Sequence, residues 1–340
     1  MLNLRPLSEP RRATTVLDVA RMAGVSAMTV SRALNQPQRV PPATRQRVQA
    51  AVEATQYVPN LLACGLRSRR SRLVAAIVPA LGSPVFSETV QALTATLGAA
   101  GYHLMLGQSG YGTDGEDALL QAVIGRRPDG IVLVGVDHSR QARQQLAGCG
   151  VPVVETWDLT PAPIDMLVGF SHADVGAAVC RFLAGQGRRR LAVVSGADAR
   201  AARRAQAFAA TAQALGLAAP VQLEVQTPST LGSGRQALRQ LRAQPDAVDG
   251  IFCSSDMLAL GVLTEAAHQG IAVPDRIGVV GFGDQPFAAD AEPALSTVRV
   301  DGARIGREAA LRVVGRIAGD PAPEQAALDV GFSIVVRRSA

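Results

Sequence analysis

The 340-residue chain is 48% hydrophobic and only 4% aromatic, enough for two or three compact units with aliphatic cores. It has no apolar run of membrane-spanning length and no lysine, which excludes a membrane-spanning helix, a lysine-bearing phosphate loop and a Schiff-base enzyme. Charge is divided unevenly: of 34 arginines, 12 fall in residues 1–72 beside three acids (Glu9, Asp18 and Glu53), a net +9, while the rest holds 22 arginines against 25 acids, a net −3.

A basic head on a near-neutral body is the distribution expected of a nucleic-acid-binding protein. Cys64, Cys149, Cys180 and Cys253 form no CxxC pair and read as small buried hydrophobes. The opening MLNLRPLSEPRRATT lacks an apolar signal core, which predicts a cytoplasmic protein. Its first 13 residues carry two prolines and three arginines and predict a disordered leader.

Helical periodicity begins at TTVLDVARMAGVSAMTVSRALNQ. Thr14 or Thr15 can cap a first helix with Val16, Val19, Ala20 and Ala23 on one face. Gly24 stands where a tight turn needs positive φ. Ser26 can cap a second helix that turns Val30 and Ala33 inward and Ala27, Met28, Ser31 and Arg32 outward. A third helix starts near Pro42–Ala43 and turns Val48, Ala51 and Val52 inward. This is the pattern of a helix-turn-helix whose second helix enters the DNA major groove by its N-terminal residues, a plain αα-hairpin being the alternative.

Beyond an arginine-rich stretch, PNLLACGLRSRRSR (59–72), apolar runs alternate with helical patterns. Strands are predicted at 73–79, 130–136, 151–155, 191–195, 250–254 and 278–282, and helices at 87–100, 174–186, 202–216, 234–243, 256–269 and 303–318. Continuous apolar runs suit parallel strands covered on both faces. The repeat of the βαβ rhythm around Ile131 and Ile251 predicts two doubly wound parallel-sheet lobes with a ligand cleft between them.

Enzymatic patterns are weak. Gly232-x-Gly234-x-x-Ala237 lacks the direct strand exit that a dinucleotide fingerprint requires. There is no GxSxG elbow, and His103, His138, His172 and His268 stand isolated, without metal-ligand spacing. No catalytic residue, metal site or cofactor is expected.

The segment D-V-A-x-x-A-G-V-S-x-x-T-V-S-R-x-L-N, followed by YVPN and a leucine-bearing stretch, resembles the head of the lactose-repressor family of transcriptional regulators from Thr15 to Leu66. The resemblance implies DNA contacts from Thr15, Ser26, Ala27, Met28, Thr29, Ser31, Arg32, Asn35, Asn60 and Leu66. Ala27 and Met28 would be the base-reading pair, limited to apolar contacts such as a thymine methyl, and Arg32 would reach a base or phosphate. Leu66 would be a minor-groove wedge contributed by the paired hinge helices of a homodimer. Cys64 and Gly65 depart from the family's usual residues there, and Gly65 weakens helix propensity by roughly 1 kcal/mol relative to alanine.

The body carries further likeness at 79–88, at FCSSDMLALG (252–261) and at VPDRIGVVGF (273–282). GVSAMTVSR, VFSE, VPVVE, VGF and DVGF are similar to the gluconate-operon repressors within the family. The implied fold is an all-α helix-turn-helix head on a periplasmic-binding-protein-like α/β body. The implied domains are a leader at 1–13, the head at 14–59, a hinge helix or linker at 60–72, and a ligand-sensing and dimerisation domain at 73–340. In the last, one lobe takes about 73–170 plus 299–326 and the other about 171–298 plus 327–340.

Carried over by position, the cleft would be lined by Phe86, Glu155, Phe170, Arg204, Ser229, Ser255, Asp256, Phe282 and Arg299. Phe86 and Phe170 would form an apolar wall, and Arg204 would pair with a carboxylate. Glu155, Ser229, Ser255 and Asp256 would share hydrogen bonds with hydroxyls. Gly283 stands where neutral-sugar relatives often place an acid. The implied activity is repression from a pseudo-palindromic operator, relieved by a small-molecule effector, with a sugar acid such as gluconate first and a neutral sugar or purine as the alternative. A solute-binding protein is the remote reading outside the family. The chain ends without a leucine-heptad tail, so no tetramerisation element is expected.

Overall fold

The computed structural model describes residues 14–58, 70–82, 84–112, 114–244 and 247–340. The expected leader, Asn60, Cys64, Gly65 and Leu66 lie outside the described residues, as does the side chain of Asn35. The chain divides between Ser71 and Arg72 into two compact units.

The first unit contains helices α1 (Val16–Ala23), α2 (Ala27–Asn35) and α3 (Pro42–Thr55). The Asp18 carboxylate accepts from both the backbone N–H and the hydroxyl of Thr15, at 2.9 and 2.7 Å, and fixes the start of α1. Gly24 ends that helix at φ 64°, a left-handed conformation that glycine adopts without strain. Ser26 accepts the N–H of Thr29 at 3.1 Å and starts α2. Val19, Ala20, Ala23, Val30, Ala33, Val48 and Ala51 form the core, with Val16 and Val52 packed at its margin.

The second unit holds two six-stranded sheets. The first has the order β11-β5-β4-β3-β1-β2: β1 is Leu73–Val78, β2 His103–Gln108, β3 Gly130–Val134, β4 Val153–Thr156, β5 Met166–Gly169 and β11 Ala327–Asp329. The second has the order β12-β10-β9-β8-β6-β7: β6 is Leu191–Gly196, β7 Val221–Val225, β8 Gly250–Cys253, β9 Gly278–Phe282, β10 Ser296–Arg299 and β12 Ser333–Val335. All pairings are parallel except that of β12 with β10. The covering helices in chain order are α4 (Ser87–Ala99), α5 (Asp114–Ile124), α6 (Arg140–Gly148), α7 (His172–Gly185), α8 (Ala199–Ala214), α9 (Leu231–Arg242), α10 (Asp256–His268), α11 (Phe287–Asp290) and α12 (Gly302–Ala318). None of the described helices is long and apolar enough to cross a membrane.

The six expected strands are all inner strands of these sheets. The edge strands β2 and β7 escape the apolar-run criterion because their residues alternate between more and less exposed positions. The chain passes between lobes three times, after β5, after β10 and after β11. The last passage differs from the expected boundary: Ala327–Asp329 pairs with β5 and completes the first sheet, so the second lobe resumes only after Asp329. Cys180 and Cys253 are buried and Cys149 is half-buried. Burial pushes the Cys180 thiol up to about 11 and raises that of Cys253 as well.

Helices α7 and α8 approach so closely that a Cβ on Gly176 would stand 2.1 Å from the backbone oxygen of Arg204. Gly176→Ala should therefore destabilise the protein by about 1–3 kcal/mol through overpacking, read as a lower urea midpoint; an unchanged midpoint would contradict this contact.

A second buried feature lies in the first lobe. His138 places Nδ1 at 2.9 and 3.0 Å from the two Glu116 oxygens and Nε2 at 3.3 Å from Glu155 Oε1, with Arg143 a further 3.9 Å from Glu155. Burial works against a charge on His138, but the hydrogen bonds and charges of the two glutamates outweigh it and raise its pKa to about 9. A raised histidine pKa stabilises the fold fully below the ordinary value of 6.5, and that contribution is lost as pH rises through 9. The thermal midpoint should accordingly fall between pH 6.5 and 9, and His138→Gln should flatten that fall; an equally steep fall in the variant would assign it to other groups.

Candidate DNA-binding head and effector cleft

In the head, the start of α2 is open to solvent. Ser26, Met28 and Arg32 are exposed, Met28 at 58%. Met28 and Arg32 are four residues apart and share one helical face. Thr15, Thr29 and Ser31 are half-buried, and the Thr29 hydroxyl lies 2.9 Å from that of Ser26. Ala27 is half-buried and packs against the head's core, so the outward direction expected for it is only partly met and Met28 is the more prominent of the pair. Arg21, Arg39, Arg45 and Arg47 are also exposed, giving the head the positive surface that its composition implies.

In the body, a cavity of about 190 Å³ opens at the carboxyl ends of strands from both sheets. Six of the nine residues expected there line it: Phe86, Arg204, Ser229, Ser255, Asp256 and Phe282. Their roles are unequal. Ser255 caps α10 by accepting the Leu258 N–H at 3.3 Å, and its hydroxyl lies 3.2 Å from that of Ser229. Asp256 spends one carboxylate oxygen on the Thr297 hydroxyl and the other on the Gln285 N–H at 2.7 Å. Burial raises its pKa to about 6. This carboxylate is bound into the second lobe and ties α10 to β10.

Three expected residues fall elsewhere. Glu155 is fully buried in the His138 cluster, where its second oxygen accepts the Ile164 N–H at 2.6 Å. Phe170 is also fully buried; it packs behind the cavity against Trp157, His172 and Phe282 at ring-centroid distances of 5.9, 4.6 and 6.2 Å. Arg299 points outward and pairs with Asp284. Asp284 is also held by Arg337 at 2.7 Å. The acid missing at Gly283 thus stands one residue further on, neutralised by two arginines and outside the cavity lining.

The cavity also contains residues that sequence reasoning passed over, foremost His172, Asp198, Arg200 and Trp157. Asp198 caps α8 by accepting the Ala201 N–H at 3.0 Å. The first turns of that helix carry Arg200, Arg203 and Arg204. Arg204 is buried; its Nη1 is 2.9 Å from His172 Nδ1, its Nη2 donates to the Ser254 carbonyl at 3.2 Å, and its Cζ lies 4.1 Å from the Phe282 ring centroid. Burial lowers its pKa to about 10, which leaves it charged at neutral pH. Arg203 bridges Asp137 and Asp158, carboxylates of the first lobe. Arg200 lies over Phe86 with Cζ 5.4 Å from the ring centroid. A cavity walled by aromatics, floored by arginines and edged with serine hydroxyls is chemically suited to a small hydroxylated anion.

Comparison with known proteins agrees with this arrangement of head and cleft. Residues 15–60 match the family described as bacterial regulatory proteins, lacI family, and residues 180–340 match a periplasmic binding protein-like domain. The chain is 36% identical to the HTH-type transcriptional regulator GntR of Pseudomonas aeruginosa over 96% of this chain and 95% of that one. It is 29% identical to the HTH-type transcriptional repressor CytR of Escherichia coli over 90% of this chain and 91% of that one. A lacI-family transcriptional regulator from Silicibacter pomeroyi superposes with a TM-score of 0.90 at 32% identity, covering 96% of this chain and 99% of its own. The chain belongs to the lacI family: it is a ligand-responsive, DNA-binding transcriptional repressor and not an enzyme.

Proposed function

We propose that the protein represses genes of sugar-acid breakdown, binding a pseudo-palindromic operator as a homodimer and releasing it when a gluconate-type acid enters the cleft. The observation that carries this reading is the meeting, in one cavity, of arginine side chains with the hydroxyls of Ser229 and Ser255. An aliphatic polyol carboxylate needs an anion partner, several hydrogen bonds and little stacking surface. The likeness to a GntR-named regulator supports the same choice. Release follows if the acid binds the DNA-free state more tightly than the DNA-bound state, since only differential affinity shifts the equilibrium.

The aromatic wall of Phe86, Trp157 and Phe282 favours a flat, stacking ligand such as a purine as the second reading. A gel-shift assay with DNA from upstream of the protein's own gene separates the two. The expected result is a specific shift that gluconate abolishes and that glucose and a purine nucleoside leave unchanged. A shift released by the nucleoside or by glucose and indifferent to every sugar acid would overturn the effector assignment.

A further inference from the structure

We propose that Arg200, rather than Arg204, takes the effector's carboxylate, and that Arg204 is a positioning residue held in place by His172. This rests on the sugar-acid reading above and names the side chain that makes the site selective for an acid.

The argument is an account of where each guanidinium spends its N–H donors. In Arg204, Nη1 donates to His172 and Nη2 to the Ser254 carbonyl, the Phe282 ring lies 4.1 Å from Cζ, and Nε alone is buried without a partner among the described residues. The His172 bond has a fixed direction. His172 Nε2 is 2.9 Å from the Trp157 carbonyl oxygen, which can only accept, so Nε2 carries the proton. Nδ1 is then a bare lone pair that receives the Arg204 N–H. Burial, together with the charges of Arg204 and Arg200, holds the His172 pKa well below its ordinary range and keeps the ring in this neutral form. A carboxylate on Arg204 would have to share each terminal nitrogen with a partner already in place, His172 or the Ser254 carbonyl, and any displacement of these would strand a buried polar group.

Arg203 is spent as well, on Asp137 and Asp158. Arg200 is different. Its side chain is 12% exposed and lines the cavity, and its buried Nη1 has no hydrogen-bond partner among the described residues. The acid beside it, Asp198, lies 3.8 Å from Nε through an oxygen that already accepts the Ala201 N–H. Arg200 also stands in the first turn of a 16-residue helix, where the helix dipole favours an incoming anion. Its guanidinium reaches from the second lobe to Phe86 of the first, so a carboxylate bound there is held at the boundary between lobes.

Calorimetry on the full-length protein with gluconate and with sorbitol, the uncharged polyol of the same length, tests the assignment. The unaltered protein should prefer gluconate by at least about tenfold. Arg200→Gln should abolish that preference, and Arg200→Lys, which keeps the charge but not the planar fork, should retain part of it. His172→Phe should weaken gluconate and sorbitol alike and leave their ratio intact, with His172→Gln recovering part of the loss. Retention of the preference in both Arg200 variants, or its loss in His172→Phe, would overturn the proposal while leaving the sugar-acid reading standing. Unaltered protein that binds neither compound, or both equally, would overturn the two together.

Discussion

Arg204 lies at the floor of the cleft with its guanidinium out of contact with bulk water. A buried cation is stabilised by acceptors for its donors, and the structure supplies one to each terminal nitrogen of Arg204, the first of them opening an ordered run. Nη1 donates to His172, His172 donates to the Trp157 carbonyl, and the Trp157 indole N–H donates to the Thr89 hydroxyl at 3.0 Å. Thr89 in turn donates to the Gly302 carbonyl at 2.8 Å. Trp157 sits at φ 67°, a left-handed conformation uncommon for a bulky residue, with its carbonyl on His172 and its indole on Thr89. The run begins on a helix of the second lobe, passes through the residue that opens α7 just after the first lobe passage, crosses the first lobe, and ends where α12 begins after the second passage. The site is thus wired into the segments that join the lobes.

The same helix gives its three arginines three different tasks. Arg204 faces inward and fixes the run just described. Arg203 faces the first lobe and holds Asp137 and Asp158. Arg200 faces the cavity over Phe86. Two of the three therefore span the lobe boundary, one by charge and one by stacking. An effector that engages Arg200 would act on the surface whose geometry must differ between the two states of a switch, because a ligand shifts an equilibrium only through contacts that distinguish its ends.

Much of this fold was legible. The head could be read residue by residue, since its caps, its turn glycine and its inward face are local features. Six of the eight inner strands of the body were legible as unbroken apolar runs; β5 and β10, each four residues long, were not. Helix starts were less so: apolar periodicity placed α7 at 174, α8 at 202 and α9 at 234, whereas the structure begins them at His172, Ala199 and Leu231. The missed stretches are two or three residues of mixed character that extend no apolar stripe, and the available signal was the cap before each, Ser171, Asp198 and Thr230. That late start left Arg200 outside any predicted helix and His172 looking isolated, although its partner is 32 residues away in sequence and 2.9 Å away in space. Position-by-position likeness failed where the direction of a side chain decides the matter. Phe170 and Arg299 each lie at a strand end beside the lobe boundary, yet one turns into the core and the other out to Asp284.

A crystal structure of the body bound to gluconate tests the division of labour among these arginines most directly. The account predicts the carboxylate within hydrogen-bonding distance, about 3 Å, of Arg200 Nη1, with the Arg204–His172 bond unbroken and the sugar hydroxyls toward Ser229 and Ser255. A carboxylate seated on Arg204 with His172 displaced, or a sugar acid bound outside the cavity, would contradict it.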